Sequence, residues 1–110
     1  MLGFIEQHGG GRFQSLTDPS HRVPNRAGYK RESFEGHTEY LFLQEVFEHE
    51  VCRGFHHKSV ARELERLGHL RRGTEKGYLT TRETLPEIGR TRVYLVAAEP
   101  IFAKSTDPID

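Results

Sequence analysis

The chain has one cysteine, one methionine and no tryptophan among its 110 residues. The lone Cys52 excludes an intramolecular disulfide and a cysteine-rich metal site, which suits a reducing cytoplasm. No apolar run approaches the roughly 20 residues of a membrane-crossing helix, and the N-terminus lacks the basic-then-apolar layout of a secretory signal. Aspartate is confined to Asp18, Asp107 and Asp110, all in loop-like or terminal sequence. No strand therefore ends in the paired carboxylates that hold magnesium for phosphoryl transfer. Gly9-Gly10-Gly11 is followed by Arg12-Phe13 rather than Gly-Lys-Ser/Thr, so it reads as a hinge and not a phosphate loop. His49 and Cys52 stand at helical i, i+3 spacing, but with no CxxC, HxxxH or carboxylate partner they imply no metal. The expectations are no catalytic site, no metal, no cofactor and no membrane.

The formal net charge of +0 hides an asymmetry. Between Arg53 and Arg92 there are ten basic and five acidic side chains, so the excess of base falls in one stretch and the excess of acid elsewhere. Such a chain can present an anion-attracting face although it is neutral overall. A mixed, solvated surface would give the same sums.

Eleven Phe and Tyr residues supply a core for one domain of ordinary size. Leu2, Phe4 and Ile5 read as the last turn of a helix, with residues 1–10 as the end of one belonging to a preceding region. Arg12 to Leu16, Ala27 to Glu32 and Glu39 to Leu43 read as strands, with Tyr29 the most buried residue of the second. Loops fall at Thr17 to Asn25 and at Phe34-Glu35-Gly36-His37. Val46, Phe47, Glu50 and Val51 then share one helical face, and Gly54 breaks it. A second helix has Val60, Ala61, Leu64 and Leu67 inward, with Gly68 as its stop. Leu70 to Arg72 reads as a short strand and Gly73 to Gly77 as a turn. Tyr78 to Thr84 and Thr91 to Val96 form a hairpin across the tip Leu85 to Gly89. Alternation puts Thr91, Val93 and Leu95 on one side of the last strand, and Arg90, Arg92 and Tyr94 on the other. The reading is α+β: a winged helix-turn-helix with an N-terminal antiparallel β extension over residues 1–98, and a flexible tail over 99–110.

Several stretches carry a resemblance. They are Phe4-Ile5-Glu6, His8-Gly9, Arg12-Phe13, Asn25-Arg26-Ala27-Gly28-Tyr29 and Glu39-Tyr40-Leu41, then Glu45-Val46-Phe47, Glu50-Val51-Cys52, Gly54-Phe55, Val60-Ala61 and Gly89-Arg90-Thr91-Arg92-Val93-Tyr94. Together they resemble the C-terminal portion of a bacterial domain-of-unknown-function family found in phage, plasmid and integrative-element proteins described as DNA primase/helicases. The resemblance implies a place in mobile-element replication, beside an ATPase-like region, and brings no catalytic residue. Where that family has Asp-Pro at the start of the second helix, this chain has His56-His57, and imidazole caps a helix less well than Asp.

In a helix-turn-helix the N-terminal residues of the second helix meet base edges. Lys58, Ser59 and Arg62 lie at that end, with Arg66 one turn on. The wing carries Arg71, Arg72, Lys76, Arg82, Arg90 and Arg92, whose forked guanidinium groups match phosphate oxygens. Arg90 and Arg92 flank Tyr94 on one strand face, a combination that also suits a stacked single-stranded base. Equally, these side chains can pair with Glu83 or Glu87 across the hairpin. The nucleic-acid-binding set is thus Lys58, Ser59, Arg62, Arg66, Arg71, Arg72, Lys76, Arg90 and Arg92, with DNA as the expected partner. The alternative is a protein-interaction or oligomerisation module that docks an ATPase region or a replication partner through Phe13, Tyr29, Phe34 and Phe102.

Overall fold

In the computed structural model, which describes residues 2–8, 11–17, 26–33, 35–73 and 77–102, the alternating segments are strands of one sheet. The segments with helical period pack on one of its faces. In chain order the elements are α1 (Leu2–His8), β1 (Phe13–Ser15), β2 (Gly28–Glu32) and β3 (Thr38–Leu43), then α2 (Gln44–Val46) running into a π turn (Phe47–Val51). They are followed by α3 (His57–Arg66), β4 (Leu70–Arg71), β5 (Thr81–Leu85) and β6 (Gly89–Ala97). The strand order is β1-β2-β3-β6-β4, and β5 pairs the N-terminal half of β6. The α+β class holds.

The sheet has two apolar faces because β6 alternates. Tyr94 and Val96 join Ile5, Phe13, Phe42, Phe47, Cys52, Ala61, Leu64 and Leu70 in the core beneath the helices. Val93 and Leu95 join Tyr29, Leu41 and Leu85 on the opposite face, with Leu16, Leu43 and Phe102 packed against them. Aromatic rings tie the first core: Phe13 meets Phe42 edge-on at 4.9 Å, Phe42 meets Phe47 at 5.8 Å, and Phe47 stacks on Tyr94 at 3.9 Å. The hairpin tip curls over the second face, where the Tyr29 hydroxyl donates to the Pro86 carbonyl at 2.8 Å.

Several sequence expectations change. The N-terminal extension is not wholly antiparallel: β2 and β3 are, but β1 runs parallel to β2, with Phe13 opposite Gly28 and Ser15 opposite Lys30. A parallel pair needs a long crossover instead of a tight turn, and residues 16–27 provide the length. The first helix of the proposed pair is one α turn followed by the π turn, in which the Cys52 N–H donates to the Phe47 carbonyl at 3.0 Å. That five-residue reach lets Phe47 and Cys52 both enter the core, while Val46 and Val51 are half-buried and Glu50 turns outward to Arg12 at 2.7 Å.

In α3, Ala61 and Leu64 are buried and Val60 packs beside them, but Leu67 is 47% exposed. The helix ends at Arg66, so Leu67 follows the cap's direction rather than the helical stripe. The stop is a Schellman pair: the His69 N–H donates to Leu64 at 2.8 Å and the Gly68 N–H to Glu65 at 3.1 Å, with Gly68 at φ +88°. Strand β5 begins at Thr81 rather than Tyr78. Residues 99–102, expected to start a loose tail, are tied back: the Phe102 N–H donates to Gly68 at 2.9 Å and its ring packs on the second core. The rest of that tail, Phe34, Gly9-Gly10, Thr74-Glu75-Lys76 and the loop from Asp18 to Asn25 lie outside the described residues.

Gly28 marks the tightest point of the sheet. A Cβ built there would lie 2.1 Å from the Leu41 carbonyl oxygen, a backbone atom that cannot swing aside. Gly28→Ala is therefore expected to destabilise by about 3 kcal/mol or more, read as a lower urea midpoint. Gly3→Ala in α1, where a Cβ meets nothing within 4 Å, should leave the midpoint unchanged or slightly raised.

Candidate nucleic-acid interface

Helix α3 starts from His56 in an extended conformation, with no side-chain cap hydrogen bond. With Ala61 and Leu64 turned inward, Lys58, Arg62 and Arg66 form an exposed strip on the outer surface. Arg66 is held by Glu63 one turn back. Arg72, just past β4, grips both carboxylate oxygens of Glu65 at 2.9 and 3.3 Å. Among the described residues, no acidic side chain pairs with Lys58 or Arg62.

The β5–β6 hairpin adds a second basic row. Arg82 lies opposite Arg92 and Thr84 opposite Arg90, and directly opposed residues share a face. Arg82, Arg90 and Arg92 thus emerge on the side of Tyr94, the side that carries the helices. The other side of the hairpin carries Glu83, which accepts from Arg31 at 3.2 Å. Two like charges directly opposed are unfavourable. The Arg92 guanidinium lies 3.8 Å from the centre of the Tyr78 ring, a cation–π contact that offsets part of that repulsion.

Between α3 and residues 77–80 lies a cleft of about 210 Å³, lined by Gln44, Glu48, His57, Lys58, Arg62, Arg72, Tyr78, Thr80 and Tyr94 among others. Glu48, on the π turn, is its hub. One oxygen, Oε2, accepts from Gln44 Nε2 at 3.2 Å and from the Tyr94 hydroxyl at 3.3 Å, with His57 Nε2 at 3.7 Å. Burial, reinforced by the charge of Glu48, pushes the Tyr94 phenol well above its ordinary value, so it stays protonated and donates. Thr80 is 4% exposed, and its buried Oγ1 has no hydrogen-bond partner among the described residues.

The structure brings Lys58, Arg62 and Arg72 together around this cleft, with Arg92 joining through Tyr78 and Arg90 farther along the same hairpin face. It separates others. Ser59 faces an apolar groove with Phe55, Val60 and Leu64, and Arg66 sits exposed on Glu63. Arg71 lies on the opposite face of the sheet from Leu70, its guanidinium 5.6 Å from the Phe102 ring centre. Lys76 lies outside the described residues.

Tyr94, expected as a stacking ring, is 4% exposed and already stacked on Phe47; of the aromatic rings lining the cleft it is Tyr78, 46% exposed with Arg92 against its ring, that reaches solvent. Sequence reading also missed Glu48 and Thr80, because they come from segments that only the sheet brings together. Tyr78 left one signal, an aromatic beside Gly77 within the basic stretch. The aromatic surface of the alternative reading does not form as expected: Phe13 and Tyr29 are fully buried, and Phe102 is packed against the second core.

Among the described residues no group of three His, Cys, Asp or Glu stands close enough to hold a metal ion. No helix among them is long and apolar enough to cross a membrane. No protein-family model, curated protein or solved structure matches the chain.

Cys52, next to this site but turned into the core, is 2% exposed, and burial pushes its thiol up to about 11. The thiolate is the reactive form. The folded protein should therefore react with iodoacetamide far more slowly than a free thiol at pH 8, and at the ordinary rate in urea, as followed by mass spectrometry.

Proposed function

We propose that the chain is a non-catalytic accessory DNA-binding module of a mobile-element primase/helicase. One observation carries the reading: Lys58 and Arg62 of α3, which pair with no acidic side chain among the described residues, and the arginine-bearing face of the β5–β6 hairpin lie on the same side of the sheet. A helix and a hairpin that present guanidinium and ammonium groups together suit a phosphate backbone, which supplies most of the affinity of such contacts. The order β3, α2 with its π turn, α3, β4 and β5, then β6, with β6 between β3 and the β4–β5 edge, supports a winged helix-turn-helix. In that reading α3 is the recognition helix, β5–β6 is the wing, and β1 and β2 extend the sheet. Specificity is left to few contacts, so the expected binding is dominated by charge.

Affinity for short DNA should fall steeply with salt. Arg62→Ala or Arg92→Ala should each reduce the slope of log affinity against log salt by about 1, measured by fluorescence anisotropy. Tyr78→Ala should weaken single-stranded binding more than double-stranded binding, since only unpaired bases can stack on it. Absence of binding to either form at low ionic strength would sink the proposal.

The second reading, a protein-interaction module of the same replication protein, has one observation in its favour. Phe55 is 74% exposed beside the apolar groove of α3. Light scattering that shows Phe55-dependent self-association, with no salt-dependent DNA binding, would favour it.

A further inference from the structure

We propose that the cleft between α3 and residues 77–80 binds one nucleotide whose base carries an exocyclic amine, with its phosphate on Lys58 and Arg62. The inference rests on the nucleic-acid reading above and names what the centre of that surface selects. Its exposed lining is basic, through Lys58, Arg62 and the Glu65-paired Arg72, while its less exposed lining includes Glu48, His57, Thr80 and Tyr94. There Glu48 presents a carboxylate that is already positioned, since Gln44 and Tyr94 both donate to Oε2. No hydrogen bond to the other oxygen, Oε1, is made among the described residues. A half-satisfied carboxylate beside that basic lining repels a bare phosphate but accepts an N–H donor. A nucleotide has both: anionic oxygens at one end and, in cytosine, adenine or guanine, an amine at the other.

Two further groups fit the same ligand. Thr80 lines the cleft, and its hydroxyl, closed to solvent and without a partner among the described residues, gains one if the base settles far enough to reach it. The half-exposed Tyr78 ring, with Arg92 against it, offers the rest of its surface for stacking with the base or its neighbour. Thymine and uracil place a carbonyl oxygen where the amine would stand, facing the carboxylate. They are rejected by charge and by the unmade bond.

The experiment compares oligo-dC with oligo-dT of equal length by anisotropy at low salt, and dCMP with dTMP by amide-shift titration. The wild type should prefer oligo-dC by about tenfold, the worth of one hydrogen bond to a charged acceptor. Glu48→Ala should abolish the preference. Glu48→Gln, which keeps the shape and a neutral acceptor, should retain part of it, and it decides the matter if the alanine variant does not fold. Thr80→Val should lower the preference as well. Shifts around Thr80 with dCMP but not dTMP also support the site, with the free nucleotide as its ligand. Equal affinity of the wild type for both strands, or a preference that Glu48→Gln leaves at the wild-type value, overturns the inference and leaves the DNA-binding reading standing. Absence of binding to any strand removes both.

Discussion

Strand β6 is the member on which the rest of the molecule depends. It pairs with β3 along one edge, from Val93 to Ala97, and with β4 and β5 in succession along the other. All five residues from Val93 to Ala97 are buried. Because side chains alternate across a strand, this single segment feeds both apolar layers, with Tyr94 and Val96 below the helices and Val93 and Leu95 on the far face. A slip of one residue would exchange the two layers, so the register of β6 fixes the position of everything attached to it. The charge pattern follows from the same alternation. The face that buries Tyr94 in the core is the face that carries Arg90 and Arg92 beyond the edge of the core.

Glu48 shows how packing and chemistry share one element. In the π turn, Phe47 and Cys52 take the inward positions and Phe47 stacks on Tyr94. Glu48, next in sequence, therefore stands at the border of the core, where the Tyr94 hydroxyl reaches it. A carboxylate at such a border is oriented by donors that the core itself supplies. The adjoining cations of α3 keep it from being an isolated negative charge.

Much of the sheet was legible in the sequence, because half-buried strands write their alternation plainly. Tyr29 as the buried residue of β2, and the split of Val93 and Leu95 from Tyr94, follow from that period alone. The helices were less legible. The stripe at Val46, Phe47, Glu50 and Val51 has the period of an α-helix, and nothing in it distinguishes four-residue from five-residue hydrogen bonds. The parallel pairing of β1 was hidden because pairing direction depends on the path of the intervening chain. Of the site, Lys58 and Arg62 could be read from helical offset. Glu48, Tyr78 and Thr80 could not, since their proximity is a product of the fold. Arg71 was misplaced for a simple reason: adjacent strand residues point to opposite faces, so Arg71 and Arg72 could not serve one surface while both lay on the same short extended segment.

The outer margins of the sheet have a consequence of another kind. Among the described residues, the sheet ends on one side at the three-residue β1 and on the other at the two-residue β4. Exposed strand edges are templates on which other chains assemble into aggregates. Here those templates are too short to seat a foreign strand well. The longer β5 carries Arg82 and Glu83 at its middle, charges that disfavour close stacking of copies. A molecule with apolar layers on both faces of its sheet is thus guarded at its rims against the self-association that such layers invite.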